Sequence, residues 1–536
     1  MQLIKGATQE KLRGGFYTPN TIASFILKWA FNGNKALDIL EPSCGDGVFL
    51  REIQNGNYKY NSITAVEIDE IEAKKAKELG LEKTKIIQTD FHKYCIDTKE
   101  QFDVIIGNPP YIRYQYFNKE QQKHASEIFG RAILKYSKLT NAWVSFVVGS
   151  SLLLKEKGKI GFVIPAEILQ VSYAKTLRKF LAQFYNKINI ISFEKLVFPD
   201  VQQEVVLLLC EKDNSNSHLI EHLELKDATE LKNLNVAKLK SPKKKVDFKS
   251  NKWTFYFLDQ NEIDFLERLQ KEKIVPKIGD YAKVEVGITT GSNPFFTVPY
   301  STVQFYSLQK YAKPLVGRSV QVPSAIFTIE DWNKNRANEA RAHLLTFPKM
   351  AELNGATGAK NYITWGEEQK INKGYKCRIR DEWQIVPSLR ISDALFIRRN
   401  SLYPKLIINE ARAYTTDTMH RVTLKFNTEI KALTASYYNS LSLAFTEICG
   451  RSHGGGVLEL MPNEVERVLL PYKENNANLL PIIDKMIRDK KHISEILKIT
   501  NEKILKEKFD FLNADIELAD GIWKKLSQRR LKRGKK

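Results

Sequence analysis

Short apolar runs alternate with longer amphipathic segments from Ala36 to about Cys210, and this alternation limits the possible folds more than any other feature of the chain. It is typical of βαβ units, in which a helix returns the chain to the same end of a parallel sheet after each strand. We therefore predict one large α/β domain. The expected strands are Ala36–Leu40, Ile63–Val66, Lys85–Gln88, Asp103–Ile106, Ile160–Ile164, Ile188–Phe193 and Val205–Cys210.

Polar residues follow the first three of these strands at the point where each strand ends. The first strand runs into Glu41-Pro42-Ser43-Cys44-Gly45-Asp46-Gly47, whose glycines allow the backbone to approach a ligand closely. The second strand ends at Glu67, which can accept hydrogen bonds from both hydroxyls of a ribose, and the third ends at Asp90-Phe91. Because ligands of open α/β sheets bind at the carboxyl ends of the strands, these residues predict one shared site.

The chemistry of these residues favours a nucleoside that carries no phosphates. The loop after the first strand lacks the GxGxxG pattern of dinucleotide folds and the Lys-Ser/Thr pair of a P-loop, so pyrophosphate binding is not expected. S-adenosylmethionine has one ribose, one adenine and a charged amino acid end, which match two acids and an aromatic ring. We therefore predict S-adenosylmethionine as the cofactor.

The tetrapeptide Asn108-Pro109-Pro110-Tyr111 after the fourth strand is the most specific signal in the chain. Its prolines fix the backbone and have no amide N–H to donate. The Asn108 side-chain oxygen and the Pro109 carbonyl can each accept one N–H of a planar amine, and Tyr111 offers a flat face to a base. Phe198, near the end of the sixth strand, could cover the other face of that base, although its position also suits a core residue.

The chain is too long for a single core, so two or three domains are expected. The Lys-rich stretch 241–253 predicts a linker between a catalytic domain at 1–240 and a second domain at 254–470. The second domain mixes short β-like runs, such as Ala282–Ile288 and Pro404–Ile408, with helical segments. Residues 471–536 predict a helical segment, and its basic end, WKKLSQRRLKRGKK, is most simply interpreted as solvated.

The formal net charge of +21 indicates a polyanionic partner, although charge alone does not separate DNA from RNA, the ribosome or a membrane surface. The five cysteines form no CxxC pair, so neither a metal site nor a disulfide framework is expected. No apolar segment suits a signal peptide or a bilayer span. These features predict a cytoplasmic protein without membrane association, and we expect it to be a monomer.

Taken in order, the motifs resemble those of the γ-class, TaqI-like DNA adenine-N6 methyltransferases of type II restriction-modification systems. The resemblance rests on Gly14-Gly15-Phe16-Tyr17-Thr18-Pro19, the loop Glu41–Gly47, Glu67-Ile68-Asp69, Thr89-Asp90-Phe91, Asn108–Tyr111 and Gly450-Arg451-Ser452-His453-Gly454-Gly455-Gly456. It implies a Rossmann-like, seven-stranded class I S-adenosylmethionine-dependent methyltransferase domain, an α+β target recognition domain and a helical C-terminal segment. It also implies an enzyme that flips an adenine out of double-stranded DNA and methylates N6.

The resemblance assigns roles to individual residues. The implied cofactor-binding residues are Thr18, Glu41, Pro42, Ser43, Cys44, Gly45, Gly47, Glu67, Ile68, Asp90, Phe91 and Pro110. The implied catalytic residues are Asn108, Pro109, Pro110, Tyr111 and Phe198. In the recognition domain, the implied DNA-binding residues are Thr289, Thr290, Asn293, Arg451 and His453.

Other interpretations stay open from the residues alone. The same tetrapeptide occurs in methyltransferases that act on protein glutamine amides and on RNA bases, and the basic half that follows the catalytic domain favours nucleic acid without separating DNA from RNA. A DNA-binding specificity protein with an inactive catalytic fold is also consistent with the charge. The residues around Asp200 lack the lysine of a PD-(D/E)xK nuclease site. We therefore expect the enzyme to act beside a separate cognate restriction endonuclease, or alone.

Overall fold

The computed structural model describes residues 17–31, 36–198, 204–213, 215–236, 239, 244–246, 252–453 and 455–532. The chain divides into two compact units, Met1–Gln260 and Asn261–Lys536. The Gly14-Gly15-Phe16 part of the N-terminal motif and Gly454 of the C-terminal motif lie outside the described residues. Each unit has its own hydrophobic core, so the two are described separately.

A nine-stranded sheet forms the centre of the first unit. Its strands are β1 (Leu37–Glu41), β2 (Tyr60–Glu67), β3 (Thr84–Gln88), β4 (Phe102–Gly107), β5 (Leu154–Pro165), β6 (Lys187–Phe193), β7 (Val205–Glu211), β8 (Leu219–Leu225) and β9 (Lys244–Lys245). Their order across the sheet is β3-β2-β1-β4-β5-β7-β6-β8-β9. All seven predicted strands are therefore confirmed, and β8 and β9 extend the sheet beyond the prediction.

The expectation of a wholly parallel sheet is wrong at β7. This strand lies between β5 and β6 and runs antiparallel to both, with Leu208 opposite Phe162 on one side and Ile190 on the other. The reason is the length of the connection, since residues 194–204 are too few for the crossover of a dozen or more residues that a parallel neighbour needs. Its continuous apolar run still reflects burial on both faces.

The helices described in the first unit pack on this sheet. They are α1 (Asn20–Ala30), α2 (Val48–Asn55), α3 (Glu70–Glu78), α4 (Phe91–Asp97), α5 (Lys119–Arg131), α6 (Ala142–Leu152) and α7 (Lys175–Phe184). Helix α1 buries Ile26 and Trp29 beside Gly161 of β5, where a Cβ atom would lie 2.8 Å from Ile26 Cγ2. Helix α6 is buried along its whole length except at its last residue, Leu152, which explains its uniformly apolar sequence.

Two aspartates fix where strands end and helices begin on the edge that carries the predicted site. Asp69 accepts the backbone N–H groups of Ile71 and Glu72 at the start of α3. Asp90 does the same for the N–H groups of His92 and Lys93 at the start of α4. Such caps satisfy helix N–H groups that have no partner within the helix. Because β1 to β4 are parallel neighbours, their carboxyl ends lie together at this edge.

Part of the Lys-rich stretch 241–253 belongs to the sheet. Lys244 and Lys245 form β9, which pairs antiparallel with β8, and the Lys244 ammonium lies 3.2 Å from the Glu221 carboxylate. Residues 241–243 and 247–251 lie outside the described residues.

Three small sheets form the β-structure described in the second unit. The strands are β10 (Ala282–Val286), β11 (Thr297–Val298), β12 (Ala312–Val316), β13 (His343–Leu345), β14 (Ala394–Ile397), β15 (Arg399–Asn400), β16 (Leu406–Ile408), β17 (Tyr414–Thr415), β18 (Met419–Leu424), β19 (Arg451–His453) and β20 (Val457–Glu459). They are ordered β10-β18-β14-β16, β11-β13-β12-β17 and β15-β20-β19. The two predicted β-like runs are β10 and β16.

Helices cover these sheets and form the end of the chain. They are α8 (Gln260–Glu272), α9 (Ile278–Tyr281), α10 (Asn293–Phe296), α11 (Tyr300–Phe305), α12 (Ile329–Ala337), α13 (Thr357–Glu368), α14 (Tyr375–Arg378), α15 (Ile430–Tyr437), α16 (Ser440–Cys449), α17 (Pro462–Val465), α18 (Leu480–Arg488), α19 (Ile493–Thr500), α20 (Glu507–Phe509) and α21 (Asn513–Lys532). The mixture of short strands and helices is the α+β architecture expected for this part of the chain.

The basic end of the chain is not solvated as predicted, because most of it belongs to α21. Trp523 and Leu526 are buried on this helix, and Arg530 is only 1% exposed. The Arg530 guanidinium donates to both carboxylate oxygens of Glu447 on α16, at 3.0 and 2.7 Å, and to the Leu402 carbonyl at 3.1 Å. Composition could not reveal this, because a buried arginine and an exposed one look alike in a basic sequence.

We expect Arg530→Ala to destabilise the second unit by about 3–5 kcal/mol, because it leaves the buried Glu447 carboxylate without its counter-charge. Denaturant unfolding followed by circular dichroism would measure the loss. Lys524→Ala on the same helix is the matched control, since Lys524 is exposed and its ion pair with Asp520 is worth at most about 1 kcal/mol. Equal unfolding midpoints for the two variants would contradict an anchoring role for Arg530.

Candidate active site

A cavity of about 910 Å³ is lined by residues that follow β1, β2, β3 and β4. The predicted residues that line it are Thr18, Glu41, Pro42, Ser43, Cys44, Gly45, Glu67, Ile68, Asp90, Phe91, Asn108 and Pro110. Gly47, Pro109, Tyr111 and Phe198, which were also predicted, are not among the lining residues. The unpredicted residues that also line it include Asp46, Asp69, Ile112, Phe117, Gln121, Ala142 and Phe146. The structure thus brings together residues from five separate sequence motifs.

Two glycines shape the loop after β1. Gly47 has φ +83° where α2 begins, and a Cβ atom there would lie 2.7 Å from Leu79 Cδ1, so a larger residue would be strained and crowded. Gly45 has φ +52°, and its N–H group donates to Glu67 Oε2 at 2.8 Å. Gly47 therefore acts on the cavity through the shape of the loop, whereas Gly45 lines the cavity.

Glu67 holds two loops with one carboxylate. Its Oε2 accepts the Gly45 N–H group, and its Oε1 accepts the Asp69 N–H group at 2.9 Å. An ionised carboxylate has about four acceptor sites, so these two bonds leave Glu67 with capacity for the two hydroxyls of a ribose. The backbone bonds also fix the direction of the side chain before any ligand arrives.

Glu41, at the end of β1, is a buried acid whose charge Arg51 compensates only in part. It is 2% exposed, and its Oε2 atom has no hydrogen-bond partner among the described residues. Burial, with the nearby carboxylates of Glu67 and Asp46, raises the pKa of Glu41 well above its usual value. A ligand that brings positive charge would relieve this arrangement. S-adenosylmethionine, with a sulfonium and an ammonium group, fits that requirement.

Asp90 is oriented by a chain of buried polar groups. Its Oδ1 atom accepts the His92 N–H group at 2.8 Å and lies 3.2 Å from the His92 ring nitrogen Nδ1, while Gln121 donates to Oδ2 at 3.2 Å. The other ring nitrogen of His92 lies 2.7 Å from Ser145 Oγ. Burial acts to raise the pKa of Asp90, but the hydrogen bonds from His92 and Gln121 lower it to about 2. Asp90 is therefore an ionised acceptor.

Aromatic rings form an apolar wall beside Asp90. The centroids of Phe91 and Phe146 lie 4.7 Å apart, and the His92 ring meets Phe146 at 4.9 Å and Phe117 at 5.8 Å, both edge-on. A flat apolar slot next to an acceptor suits an adenine ring. Phe117 and Phe146 were not predicted, because they lie before α5 and on α6, outside any motif. The uniformly apolar sequence of α6 was the only signal for Phe146.

The Asn108–Tyr111 tetrapeptide has an internal hydrogen bond that its sequence did not indicate. The Tyr111 hydroxyl donates to Asn108 Oδ1 at 2.8 Å and lies 3.3 Å from the Val163 carbonyl of β5. Ser43 donates to the Asn108 carbonyl at 3.3 Å. Burial raises the pKa of Tyr111 well above its usual value, so its hydroxyl remains a donor. The tetrapeptide is thus tied both to the loop after β1 and to β5.

Phe198 and Tyr111 are associated with one apolar cluster. Phe198 is 7% exposed and belongs to the core that also contains Val205 and Leu207, and Tyr111 packs against this core while remaining partly buried. The two rings predicted to flank a base are therefore brought to the same region, with Phe198 in the buried position that a core residue would have.

In the second unit, Gly287–Asn293, which we call the recognition loop, is braced internally. Thr290 is 2% exposed and donates to Asn293 Oδ1 at 2.6 Å, and the Asn293 amide lies 3.4 Å from Asp417 Oδ1. Thr289 is exposed. Of the three predicted residues in this loop, Thr289 alone presents an exposed side chain, because Thr290 and Asn293 hold the shape of the loop.

Arg451 and His453, on β19, take part in ion pairs. Arg451 lies 3.1 Å from Glu464, and His453 lies 2.9 Å from Glu459. Glu459 also pairs with Arg398 and Arg399, and Arg398 in turn donates to the Asp417 carbonyl at 3.2 Å. The hydrogen bond from His453 is the main cause that lowers the pKa of Glu459 to about 2, against the effect of burial. The two predicted DNA-binding regions thus converge on Arg398, which sequence reasoning missed.

The strand order and the acidic, aromatic cavity at the ends of β1 to β4 define the first unit as a class I S-adenosylmethionine-dependent methyltransferase. Residues 21–198 match the family described as Eco57I restriction-modification methylase. Residues 250–505 match the C-terminal domain of the type II methyltransferase M.Eco57I. The two matches follow one another and fall in the first and second units respectively.

Two type II methyltransferases of related sequence agree with these matches. The type II methyltransferase M.AccI of Acinetobacter calcoaceticus is 26% identical over 531 residues, which cover 96% of this chain and 92% of the relative. M.HincII of Haemophilus influenzae is 34% identical over 205 residues, 36% of each chain. A solved DrdV–DNA complex covers 89% of this chain and 58% of that one, at 13% identity and a TM-score of 0.49. The chain is thus similar along nearly its whole length to a type II methyltransferase, and its two parts match domains of restriction-modification methylases.

Metal sites and membrane-spanning helices are both absent from the described residues. No group of three or more His, Cys, Asp or Glu side chains among them is placed to hold a metal ion. No helix in the same residues is long and apolar enough to cross a membrane.

The environment of Glu41 generates a prediction for cofactor binding. Because a cation binds more tightly to the ionised form of Glu41, the dissociation constant of S-adenosylmethionine should fall as the pH rises above about 4.5 through the raised pKa, and binding should release a proton. Calorimetry in buffers of different ionisation enthalpy measures both effects. Glu41→Gln should bind more weakly and lose the proton release, whereas the exposed control Glu70→Gln should behave as wild type. A wild-type protein that releases no proton contradicts the assignment.

Proposed function

We propose that the protein is a site-specific DNA adenine-N6 methyltransferase of the γ class. It would flip an adenine out of double-stranded DNA and protect that DNA from a cognate restriction endonuclease. The observation that carries the proposal is the position of Asn108-Pro109-Pro110-Tyr111 at the carboxyl end of β4, with Asn108 and Pro110 on the wall of the cofactor cavity.

The tetrapeptide suits an amine on a planar ring. An amide oxygen has two lone pairs, so Asn108 Oδ1 can accept from Tyr111 and from a substrate amine together. The Pro109 carbonyl supplies the second acceptor. When both N–H groups of the amine donate in the plane of the ring, the nitrogen lone pair is directed out of that plane. The bond from Tyr111 also holds the Asn108 amide in one orientation, so its acceptor is placed before the substrate arrives.

Direct transfer to the amine needs no covalent intermediate with the protein. S-adenosylmethionine supplies an electrophilic methyl group on a sulfonium. Cys44 is the cysteine on the cavity wall, and burial beside Glu41 raises the pKa of its thiol, which keeps the sulfur protonated and a poor nucleophile. The role left for the chain is to align the amine with the methyl group and to exclude water.

The net charge of the chain and its sequence similarity to a type II methyltransferase support DNA as the substrate. The net charge of +21 suits a polyanion, and the relative that aligns along nearly the whole chain is a type II methyltransferase. Adenine is favoured over other planar amines by the resemblance of the motifs, since the tetrapeptide by itself specifies only the amine. Methylation assays on DNA and RNA oligonucleotides of the same sequence test RNA as the alternative substrate.

Tyr111 should act in two ways that substitutions can separate. Tyr111→Phe keeps the ring but removes the bond to Asn108, and we expect about a tenfold loss in kcat, the effect of one hydrogen bond of roughly 1.4 kcal/mol. Tyr111→Ala also removes the stacking face, so its further loss should be larger on paired than on mismatched adenine. Single-turnover methylation of a fully paired duplex, and of an otherwise identical duplex with a mismatched target adenine, measures both losses. Cofactor affinity should stay at the wild-type value, and equal losses on both duplexes would argue against base flipping.

The proposed function is tested by expressing the chain in a host that lacks DNA methylation and mapping modified bases by single-molecule sequencing. We expect N6-methyladenine at one short sequence throughout the genome. Asn108→Ala should leave the genome unmodified while the purified variant still binds S-adenosylmethionine, because that side chain serves the target amine. Modified cytosine, methylation confined to RNA oligonucleotides, or an unmodified genome with the wild-type chain would each overturn the proposal.

A further inference from the structure

We propose that Lys370–Arg380, which we call the basic segment, holds the DNA backbone beside the recognition loop. The proposal rests on the proposed function, since it names where the second unit would contact DNA. The basic segment lies outside every motif described above. The structure assigns it this role through its charge, its anchoring and its position.

The basic segment concentrates cations between two pairs of acids, Glu367-Glu368 and Asp381-Glu382. Its eleven residues include five Lys or Arg and no acid. Four of these, Lys370, Lys373, Lys376 and Arg378, are exposed, and none of them forms an ion pair with any residue that the structure describes. The contrast with Arg451 and His453 is direct, since those two side chains pair with Glu464 and Glu459. The charges of the basic segment are therefore available to phosphates.

Two residues of the basic segment, Cys377 and Arg380, anchor it to the second unit. Cys377 is fully buried in the core that contains Phe295 and Tyr362, although both of its neighbours in sequence are exposed. Arg380 donates to the carbonyl groups of Thr289 at 3.1 Å and Thr290 at 2.7 Å. A surface that is ordered before binding loses less conformational entropy when a ligand arrives. A merely solvated lysine-rich turn would not need such anchoring.

The basic segment and the recognition loop form one surface. They meet at Gly291, where φ is +89° and a Cβ atom would lie 2.8 Å from Cys377 Sγ and 3.2 Å from Lys376 Cβ. The approach is so close that glycine is required. Thr289, the exposed residue of the recognition loop, is therefore next to a row of cations, as expected where base contacts and phosphate contacts adjoin.

Two apolar side chains on the basic segment favour a nucleic acid as the occupant. Tyr375 is 64% exposed and Ile379 is 60% exposed, and the Lys376 ammonium lies 5.7 Å from the Tyr375 ring centroid. Rings and cations on one surface match sugars, bases and phosphates, which occur together in DNA. A ligand with charge alone would leave Tyr375 and Ile379 in water.

The test neutralises the exposed cations in the full-length protein. Lys373→Gln, Lys376→Gln and Arg378→Gln are combined in one variant, and Lys485→Gln, Lys490→Gln and Lys498→Gln, on or next to α18 and α19, form a control of equal charge change. A third variant, Lys373→Arg with Lys376→Arg, keeps the charge. Binding of unmethylated plasmid fragments is measured by fluorescence anisotropy at several salt concentrations, and methylation of the same fragments is followed in parallel.

We expect the first variant to bind the fragments at least about tenfold more weakly and its log-log salt slope to fall by roughly 0.9 for each phosphate that the variant no longer neutralises. Its KM for DNA should rise, while its cofactor affinity and the methylated sequence stay unchanged, because phosphate contacts carry no sequence information. The control and the arginine variant should behave as wild type. Unfolding midpoints should agree for all the variants, since the substituted side chains are exposed.

Equal DNA affinity for the first variant and the control, with a wild-type protein that does methylate DNA, would overturn the assignment of the basic segment alone. A change in the methylated sequence would also overturn it as a backbone contact and make the segment a base reader. Failure of the wild-type protein to methylate the fragments would instead overturn the proposed function, so the two failures are distinguishable.

Discussion

The hydrogen bonds of Glu67 join two loops on which the rest of the site depends. One carboxylate oxygen accepts from Gly45 after β1 and the other from Asp69 after β2, so the side chain has a fixed direction and each loop has a fixed distance from the other. Such charge-assisted bonds are stronger than neutral ones. They are possible because β1 and β2 are parallel neighbours whose carboxyl ends coincide. The cavity and the start of α3, which Asp69 caps, lie where these two loops are held together.

The acids of the cavity lie in a chain whose net charge is strongly positive. Glu41, Glu67 and Asp46 are close enough that the carboxylates of Glu67 and Asp46 raise the pKa of Glu41. The chain is basic as a whole, but these acids meet in the cavity. A cation and a polyanion are therefore attracted to different parts of the protein. A cationic cofactor is favoured inside the cavity, whereas the excess of positive charge in the rest of the chain favours a polyanion. A nucleic acid could therefore be attracted to the protein without competing for the cofactor site.

Sequence reasoning predicted the seven strands and the cavity residues of the loops at the ends of β1 to β4, because those residues end their strands or follow them closely. It failed wherever the cause was contact between distant segments. Gln121 reaches Asp90, and Phe146 reaches Phe91, from helices that carry no motif. The bond from Tyr111 to Asn108 depends on how the tetrapeptide folds back on itself. The buried Arg530 shows the same limit, since its partner Glu447 lies on another helix. Local patterns identify strand ends, and packing decides which side chains meet there.

The number of basic residues in the second unit does not say how many of them are free of ion pairs and able to contact a ligand. Arg398, Arg399 and His453 surround Glu459 and lower its pKa, so much of the charge of the two arginines is neutralised within the fold. That cluster joins β15, β19 and β20 to the turn at Asp417, and its work is to hold the recognition loop in place. A basic residue matched by an acid stabilises the scaffold, whereas one without such a match, held by a buried neighbour as Lys376 is by Cys377, can act on a ligand. The pairs of Arg451 and His453 thus give their motif an architectural role, and their predicted contact with DNA stays a prediction.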